Sequence, residues 1–463
     1  MNKARDFDQS VLDELRALLG DRVSASAAVR EHHGKDESYF PYALPDAVVF
    51  PHTSEEVRDV VNICRRHAVP IIAYGVGTSL EGHILAVNGG VCVDLSQMNK
   101  VLAVHQEDLD AVVEAGVTRK QLNEYIKHTG LFFPVDPGAD ATVGGMAATR
   151  ASGTNAVRYG TMRENVISLK VVLADGRIIQ TSRRSKKSAA GYDLTRLLVG
   201  SEGTLGIITE VTVRLYPVQE AMSAAVCAFK DVDGCTRTVI ETIQAGVPIA
   251  RSEIVCEKTI DAINRYKKTS YRVAPTLFFE FHGTQASVIE QAETVQAIAK
   301  ENGGMDFQWA TRTEDRTALW DARHNAYFAC LQLRPGSRAV STDVCVPLSR
   351  LAECVHETME DVKDYIAPVP LLGHVGDGNF HLMFLVDPDK PEETELAKKF
   401  NKRLVARALA MEGTCTGEHG VGLGKQESMR AELGDDVIGL MRDIKRLFDP
   451  ENLMNPGKVL PPQ

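Results

Sequence analysis

The 463-residue sequence lacks several patterns that mark familiar classes of protein. Its nine cysteines are scattered and never form a Cys-x-x-Cys arrangement, which argues against a disulfide framework and against an iron–sulfur cluster built by this chain alone. No stretch approaches about 18 consecutive apolar residues, so no transmembrane segment is predicted. A formal net charge of −10 and the scarcity of Lys/Arg runs argue against a nucleic-acid partner.

The chain is otherwise ordinary in composition and too long for one hydrophobic core. With 44% hydrophobic and 25% charged residues it is typical of a globular protein, and its length predicts two or three domains. Residues 1–10 carry charges of both signs, which is typical of neither a secretory signal nor a transit peptide. We therefore expect a cytoplasmic protein, with peripheral contact at the inner face of a membrane left open.

The first half of the chain is predicted to form short strands and helices. Thr53-Ser54-Glu55-Glu56 is a capping-box pattern that opens a helix ending before Pro70, and Asp175-Gly176 is a hairpin turn. Helices are predicted over 10–20 and 119–128, and strands over 71–73, 90–95, 101–104, 111–117, 171–174, 178–181 and 206–215, the last of them half-buried.

Beyond Pro217 the pattern changes to longer helices alternating with strands. Strands are predicted over 276–280 and 340–346, and helices over 286–301, 348–364 and 391–411. The alternation indicates a second, α+β domain with an antiparallel sheet.

Two histidines flank a glycine-rich turn in that second half. The segment reads Gly373-His374-Val375-Gly376-Asp377-Gly378-Asn379-Phe380-His381 between two apolar runs of strand length. A two-residue turn centred on Asp377-Gly378 places His374 opposite His381, with Cβ atoms about 4.5–5.5 Å apart. With Glu418 these imidazoles form a ligand set for a divalent Zn, Mn or Fe ion that leaves positions open. The alternative is two ordinary histidines near a loop.

Three glycine-rich stretches occupy the first half of the chain. They are Gly75–Gly82, Pro134–Gly160 and Gly200–Gly206. The first is not the dinucleotide fingerprint, because Leu80 stands where the third glycine belongs. Each alone would be a turn cluster, but together they indicate backbone N–H groups lying against a large phosphate-bearing cofactor.

These segments, together with Trp320-Asp321-Ala322-Arg323-His324, Gly417–Gly422 and Asn455-Pro456-Gly457-Lys458, resemble the vanillyl-alcohol-oxidase-like flavoproteins. The match looks like the branch of FAD-linked D-lactate dehydrogenases of the cytochrome type and glycolate oxidase flavin subunits. The resemblance implies a PCMH-type two-subdomain FAD-binding domain over 41–218 and an α+β cap domain over 219–415. A helical segment over 1–40 would precede them, and a segment over 416–463 would return to the flavin.

The same resemblance implies which residues bind FAD. Thr78 stands where some relatives carry a histidine bonded to the flavin, so we expect non-covalent FAD, and we expect His83 to point outward. By position, the cofactor-binding residues are Gly75, Gly77, Thr78, Ser79, Gly82, Pro137, Thr142, Gly145, Ser152, Gly153, Asn155, Gly160, Glu202, Gly206 and Asn455.

The implied reaction is oxidation of a small D-2-hydroxy acid, D-lactate above others, with hydride passing to the flavin. Arg323 is the candidate partner of the substrate carboxylate, unless it is a surface arginine on a helix. His419 is the candidate base, or else a ligand or a second donor. Asn379 would donate to the carboxylate or shape the turn.

The partners follow from this reaction. Electrons would pass to a cytochrome, a quinone or an electron-transfer flavoprotein, and we allow for a homodimer. The alternatives are a 2-hydroxyglutarate or glycolate dehydrogenase, a non-redox flavin transferase, a non-catalytic flavin subunit and a metallohydrolase without flavin. A dicarboxylate substrate would need a second cationic group, and Ser341-Thr342 offers hydroxyls instead.

Overall fold

The computed structural model describes residues 7–462. Residues 1–6, at the start of the predicted N-terminal segment, and residue 463 lie outside this range. The chain forms two compact units, each built from more than one stretch of sequence. The first unit runs to Ser152, continues over Thr161–Val218 and resumes at Glu418, whereas the second combines Gly153–Gly160 with Gln219–Gly417.

The elements are numbered in chain order. The helices are α1 Gln9–Leu19, α2 Ala27–His33, α3 Ser54–Arg66, α4 Arg119–Ile126, α5 Val143–Thr149, α6 Ala156–Tyr159, α7 Met162–Asn165, α8 Leu194–Leu198, α9 Val232–Gln244, α10 Glu257–Lys267, α11 Gln285–Glu301, α12 Thr313–His324, α13 Ala326–Leu331, α14 Leu348–Asp361, α15 Pro391–Ala410 and α16 Gln426–Phe448. The strands are β1 Val23–Ser24, β2 Ala47–Val49, β3 Ile71–Tyr74, β4 Val91–Asp94, β5 Val101–His105, β6 Asp110–Glu114, β7 Leu131–Phe132, β8 Val166–Val172, β9 Ile178–Gln180, β10 Ile207–Arg214, β11 Tyr216–Pro217, β12 Ala221–Phe229, β13 Ile249–Val255, β14 Thr276–Gly283, β15 Gly304–Ala310, β16 Arg338–Ser341, β17 Val344–Cys345, β18 Leu371–Gly373 and β19 Asn379–Val386.

A four-stranded sheet in the order β1-β2-β4-β3 begins the first unit, and its last three strands are parallel. The helix α3 connects β2 to β3. It begins after Thr53, whose side chain accepts a hydrogen bond from the Glu56 amide at 3.1 Å. The predicted capping box is half formed, because the Glu56 carboxylate accepts from the His52 amide instead of the Thr53 amide. The valines of α3 are buried in the core below the sheet.

A second sheet of the first unit is antiparallel, in the order β5-β6-β10-β8-β9. The predicted hairpin around Asp175-Gly176 joins β8 and β9, with Val172 opposite Ile178. The prediction that 206–215 is half-buried is wrong. Apolar residues of α5 pack on β10, so only two of its eight positions are even partly exposed.

The end of the chain returns to the first unit. Met454 forms a parallel bridge with Ile71 of β3, and the Asn455 amide donates to the Ile71 carbonyl at 2.8 Å. The ammonium group of Lys445, near the end of α16, donates to the Thr204 carbonyl at 2.8 Å. The tail is therefore tied to the edge of the parallel sheet and to the third glycine-rich loop.

The second unit is built on one antiparallel sheet, in the order β15-β12-β14-β13-β18-β19-β16, with β17 also pairing with β19. The predicted strand over 340–346 is interrupted at Thr342-Asp343 and gives β16 and β17. The interruption has a physical cause. The hydroxyl of Thr342 accepts from the Leu382 amide at 2.9 Å, so a side chain takes the place of a backbone partner.

None of the helices in the range 7–462 has both the length and the apolar character needed to cross a membrane.

Candidate functional site

The two histidines of the predicted hairpin lie close together in the second unit, although the turn differs from the prediction. A 3-10 turn, Val375–Asp377, separates β18 from β19, and Leu372 lies opposite His381. The predicted pairing of His374 with His381 is therefore wrong by two residues. Because side chains alternate faces along a strand, a shift of two keeps both histidines on one face. Their ring centroids are 5.6 Å apart.

Each of the two imidazoles is oriented through its Nδ1 atom. Nδ1 of His374 donates to Oε1 of Glu253 at 2.7 Å, and Nδ1 of His381 donates to the Thr342 carbonyl at 2.9 Å. A carboxylate or a carbonyl can only accept, so Nδ1 carries the proton in both rings. The atom that would bind a metal is then Nε2 in each case.

Arg323 joins this cluster through the same glutamate. Its Nη2 donates to Oε2 of Glu253, and the side chain is only 7% exposed, so the alternative of a surface arginine is wrong. Its Nε has no hydrogen-bond partner within residues 7–462. A buried, unpaired guanidinium N–H is the kind of group that a small anionic ligand satisfies.

Asn379 begins β19 and lies opposite Cys345 of β17, which forms a bridge with Thr414 shortly before the second predicted segment. Its Nδ2 donates to Oδ1 of Asp343 and to the Val344 carbonyl, both at 2.8 Å. Both amide hydrogens are thus engaged, which favours the structural role weighed for this residue. A Cβ on Gly417 would come within 2.3 Å of the same Nδ2, so the backbone at Gly417 lies directly against the Asn379 side chain. Glu418 is the next residue.

A segment predicted to bind FAD is held inside the second unit, against the histidine turn. A Cβ on Gly376 would lie 2.7 Å from Val157 of α6. Asn155 accepts a hydrogen bond from Nε of Arg251 at 2.8 Å. The Tyr159 hydroxyl donates to Nδ1 of His282 at 2.9 Å. Residues 153–160, including the predicted Gly153, Asn155 and Gly160, therefore lie against the turn that follows His374.

The first glycine-rich loop has the properties of a phosphate cradle. The backbone N–H groups of residues 76–80 donate to no protein acceptor in the part of the chain that the structure describes. Gly77 has φ = +70°, and a Cβ there would lie 2.7 Å from the Tyr74 hydroxyl. A Cβ on Gly75 would lie 2.4 Å from Oγ1 of Thr142, which caps α5. Successive unsatisfied N–H groups in such a loop suit a pyrophosphate.

Glu202 is buried beneath the last glycine-rich segment. Its carboxylate accepts from the amides of Val421 and Gly422 at 2.7 and 2.8 Å, and His83 faces it at 3.3 Å. Burial alone would raise the pKa of the Glu202 carboxyl, but His83 and the two amides outweigh burial and lower that pKa. The expectation that His83 points outward is wrong, since it is 4% exposed. Asn455 completes the group by donating to the His83 and Glu202 carbonyls.

His419 stands at the start of this loop in the first unit. Its Nδ1 lies 3.9 Å from Oε1 of Glu81, and the Glu81 carbonyl accepts from the Leu423 amide at 2.7 Å. Gly422 has φ = +49°, and a Cβ there would lie 2.1 Å from that carbonyl, so the loop requires glycine. Glu81 and Glu202 thus set the position of His419, a role that the sequence did not reveal for either residue.

The remaining predicted cofactor residues all lie in the first unit. They sit in the first loop, in the segment that contains α5, and just before β10, and their contact with FAD stays a prediction. They are Thr78, Ser79, Gly82, Pro137, Gly145, Ser152 and Gly206.

Two protein families match this chain. The family described as FAD linked oxidases, C-terminal domain, matches residues 218–459, and an FAD binding domain matches residues 45–182. The first match alone covers more than half of the chain. The chain belongs to the FAD-linked oxidases. The predicted family and the predicted FAD cofactor are confirmed.

Full-length relatives are similar to this FAD-linked oxidase. A probable mitochondrial D-lactate dehydrogenase of Danio rerio is 54% identical over 98% of this chain and 92% of its own length. A mitochondrial D-lactate dehydrogenase (cytochrome) of Arabidopsis thaliana is 46% identical over 99% and 81%. A glycolate oxidase subunit of Bacillus subtilis is 35% identical over 90% and 89%. The names of the first two overturn the prediction of a cytoplasmic location, which is wrong.

Solved structures agree with the fold class. p-Cresol methylhydroxylase superposes with a TM-score of 0.80 at 21% identity, over 97% of this chain and 96% of that one. Alkyldihydroxyacetonephosphate synthase reaches a TM-score of 0.75 at 19% identity, over 98% and 86%. Likeness at these identities concerns the fold alone. The predicted α+β class with a PCMH-type FAD-binding domain is confirmed.

Proposed function

We propose that this FAD-linked oxidase converts D-lactate to the 2-oxo acid and passes the electrons to an acceptor other than a nicotinamide. The names of the relatives from Danio rerio and Arabidopsis thaliana support the substrate. The observation that carries the proposal is the buried cluster of His374, His381, Glu253 and Arg323 beside the segment 153–160. The two imidazoles of this cluster suit a metal ion, and its guanidinium suits the carboxylate of a substrate.

The donor set fits a divalent metal. Two imidazoles whose Nδ1 atoms are fixed by hydrogen bonds present Nε2, as histidine ligands do, and Glu418 would add a carboxylate. When bound, Zn²⁺, Mn²⁺ or Fe²⁺ would act as a Lewis acid on the hydroxyl of a 2-hydroxy acid. We therefore propose His374, His381 and Glu418 as its ligands.

Arg323 would bind the substrate carboxylate. Glu253 accepts from Nη2, and Nε has no partner among the residues that the structure describes, so the guanidinium offers one edge to an anion. A small monocarboxylate suits the site, since the cluster of His374, His381, Glu253 and Arg323 contains a single guanidinium. A longer dicarboxylate would need a second cation.

His419 would take the proton of the substrate hydroxyl. An imidazole suits this step because its ordinary pKa lies near neutrality. The loop that carries it is held by the hydrogen bonds of the Val421 and Gly422 amides to Glu202. When bound, FAD would supply the acceptor for the hydride that leaves the α-carbon.

We infer non-covalent FAD and a cytochrome as acceptor. Thr78 has an unreactive hydroxyl at the loop position where some flavoproteins form a histidine bond. The name of the Arabidopsis thaliana relative favours a cytochrome over a quinone or an electron-transfer flavoprotein.

The test is anaerobic reduction of the bound flavin. The purified protein under nitrogen should lose the visible absorption of its oxidised flavin on addition of D-lactate, and denaturation with acid should release the FAD. Glycolate and D-2-hydroxyglutarate are the comparison substrates, and faster bleaching by either would replace D-lactate in the proposal. A flavin that none of the three acids bleaches would instead favour the non-redox transferase.

Replacing Arg323 with lysine should raise the KM for D-lactate by about 10- to 100-fold. A lysine ammonium keeps the charge but loses the planar fork that binds a carboxylate through two N–H groups, a loss of about 1.5–3 kcal/mol. Steady-state kinetics with an artificial acceptor measure the change. Arg350→Lys, on the exposed end of α14, is the matched control and should leave the KM unchanged. An unaltered KM in Arg323→Lys would remove Arg323 from the substrate site.

A further inference from the structure

We propose that Glu253 is a positioning residue that sets the metal-binding nitrogen of His374 and the orientation of Arg323 with one carboxylate. The inference rests on the proposed function and extends it to a side chain that the sequence did not single out. Glu253 touches neither substrate nor metal in this scheme and acts through its two partners.

The geometry that carries the proposal is a fully buried acid with a different partner on each oxygen. Glu253 lies on β13 with 0% exposure. Oε1 accepts from Nδ1 of His374 at 2.7 Å, and Oε2 accepts from Nη2 of Arg323. A buried carboxylate is stable only when it is paired and hydrogen-bonded, and these two contacts provide both conditions.

The contact with His374 determines which nitrogen binds the ion. Because Glu253 accepts at Nδ1, the proton stays on Nδ1 and the lone pair on Nε2 is presented to the ligand site. An anionic acceptor at the far nitrogen also makes the imidazole a stronger ligand. The corresponding acceptor for His381 is the backbone carbonyl of Thr342, which no substitution removes. Glu253 is therefore the side chain through which ligand orientation can be tested.

The contact with Arg323 holds Nη2 against Glu253, whereas the buried Nε has no hydrogen-bond partner within residues 7–462. The same carboxylate thereby fixes the spacing between the proposed metal site at His374 and the proposed carboxylate site at Arg323. A 2-hydroxy acid would reach the first site with its hydroxyl and the second with its carboxylate. The fixed spacing would then hold the substrate in one orientation.

The experiment uses the full-length protein, stripped with a chelator and titrated calorimetrically with Zn²⁺ and Mn²⁺. Glu253→Gln retains size and one acceptor oxygen, but its NH₂ group cannot accept from the second partner. We expect a 10- to 100-fold weaker affinity for the ion. We also expect a raised KM for D-lactate in the reloaded enzyme.

Glu280→Gln is the matched control. Glu280 is 5% exposed on the neighbouring strand β14, and it also lies between a histidine and an arginine. Its oxygens face Nε2 of His282 at 2.7 Å and Nη1 of Arg251 at 3.6 Å. This variant suffers the same loss of a buried charge without touching His374 or Arg323, so its metal affinity should equal that of the wild type.

The outcomes separate this proposal from the proposed function. A wild-type protein that binds neither ion would refute the metal site itself, whereas equal affinities of wild type and Glu253→Gln would refute only the role of Glu253. Should Glu253→Gln fail to fold, Glu253→Asp keeps the charge but is too short to reach both partners, and it should show the same weakened binding. Failure of both variants to fold, with Glu280→Gln folded, would assign Glu253 to stability alone and overturn the proposal.

Discussion

A His419→Gln variant is expected to oxidise D-lactate about 10²- to 10⁴-fold more slowly than the wild type, which is the usual contribution of a positioned general base. Glutamine retains a polar side chain of similar reach but cannot take up the hydroxyl proton. Because the loop is held by Glu202 and Glu81, the change should leave the backbone in place. The loss should appear in kcat, measured with saturating substrate and an artificial acceptor.

The metal and flavin content of the His419→Gln variant decides whether its lost turnover can be assigned to the loss of a general base. A variant that keeps both, and loses turnover, has lost a proton acceptor. If the bound metal disappears with His419, the residue is a ligand and the assignment as base is wrong. His67→Gln is the control in the same unit, because His67 pairs with Glu14 of α1, away from the glycine-rich loops, and its loss should leave kcat unchanged.

The histidine pair illustrates how far the sequence can predict a site. Asp377-Gly378 between two apolar runs correctly indicated a reversal of the chain. A Cβ on Gly378 would lie 2.1 Å from the Val346 carbonyl, and the φ of Gly378 is +79°, so glycine is required there. The register was missed because the 3-10 turn Val375–Asp377 lengthens the connection. The error in register did not change the face on which the two histidines lie, because the side chains of a strand repeat every two residues.

Glu253 illustrates what the sequence did not reveal. It lies in a buried strand, far in sequence from both of its partners, and its contact with His374 depends on β13 lying next to β18 in the sheet. A pattern of spacing in the sequence cannot predict contacts between residues that are brought together only by the order of the strands in a sheet. His83 was misplaced for a similar reason, because its burial depends on the distant Glu202 and Asn455.

A His381→Ala variant is expected to lose its bound divalent ion and at least about 10²-fold of its D-lactate oxidation. Lewis-acid stabilisation of developing charge is worth several kcal/mol, and about 1.4 kcal/mol corresponds to a factor of ten in rate. His381 is 4% exposed, and the Thr342 carbonyl fixes its Nδ1, so alanine removes a ligand nitrogen that is held in one orientation. Elemental analysis of the purified protein and steady-state kinetics measure the two losses.

A matched pair of controls separates metal loss from damage to the fold. His356→Ala removes an imidazole that is 59% exposed and faces Asp233 at 3.3 Å on the surface of the second unit, so metal content and turnover should persist. Chelator-treated wild type should fall to the level of His381→Ala and recover when Zn²⁺ or Mn²⁺ is restored, whereas His381→Ala should not recover. Full oxidation of D-lactate by a metal-free wild type would show that Arg323 and His419 act without a Lewis acid. The two histidines would then be structural, and the cation would have no part in the reaction.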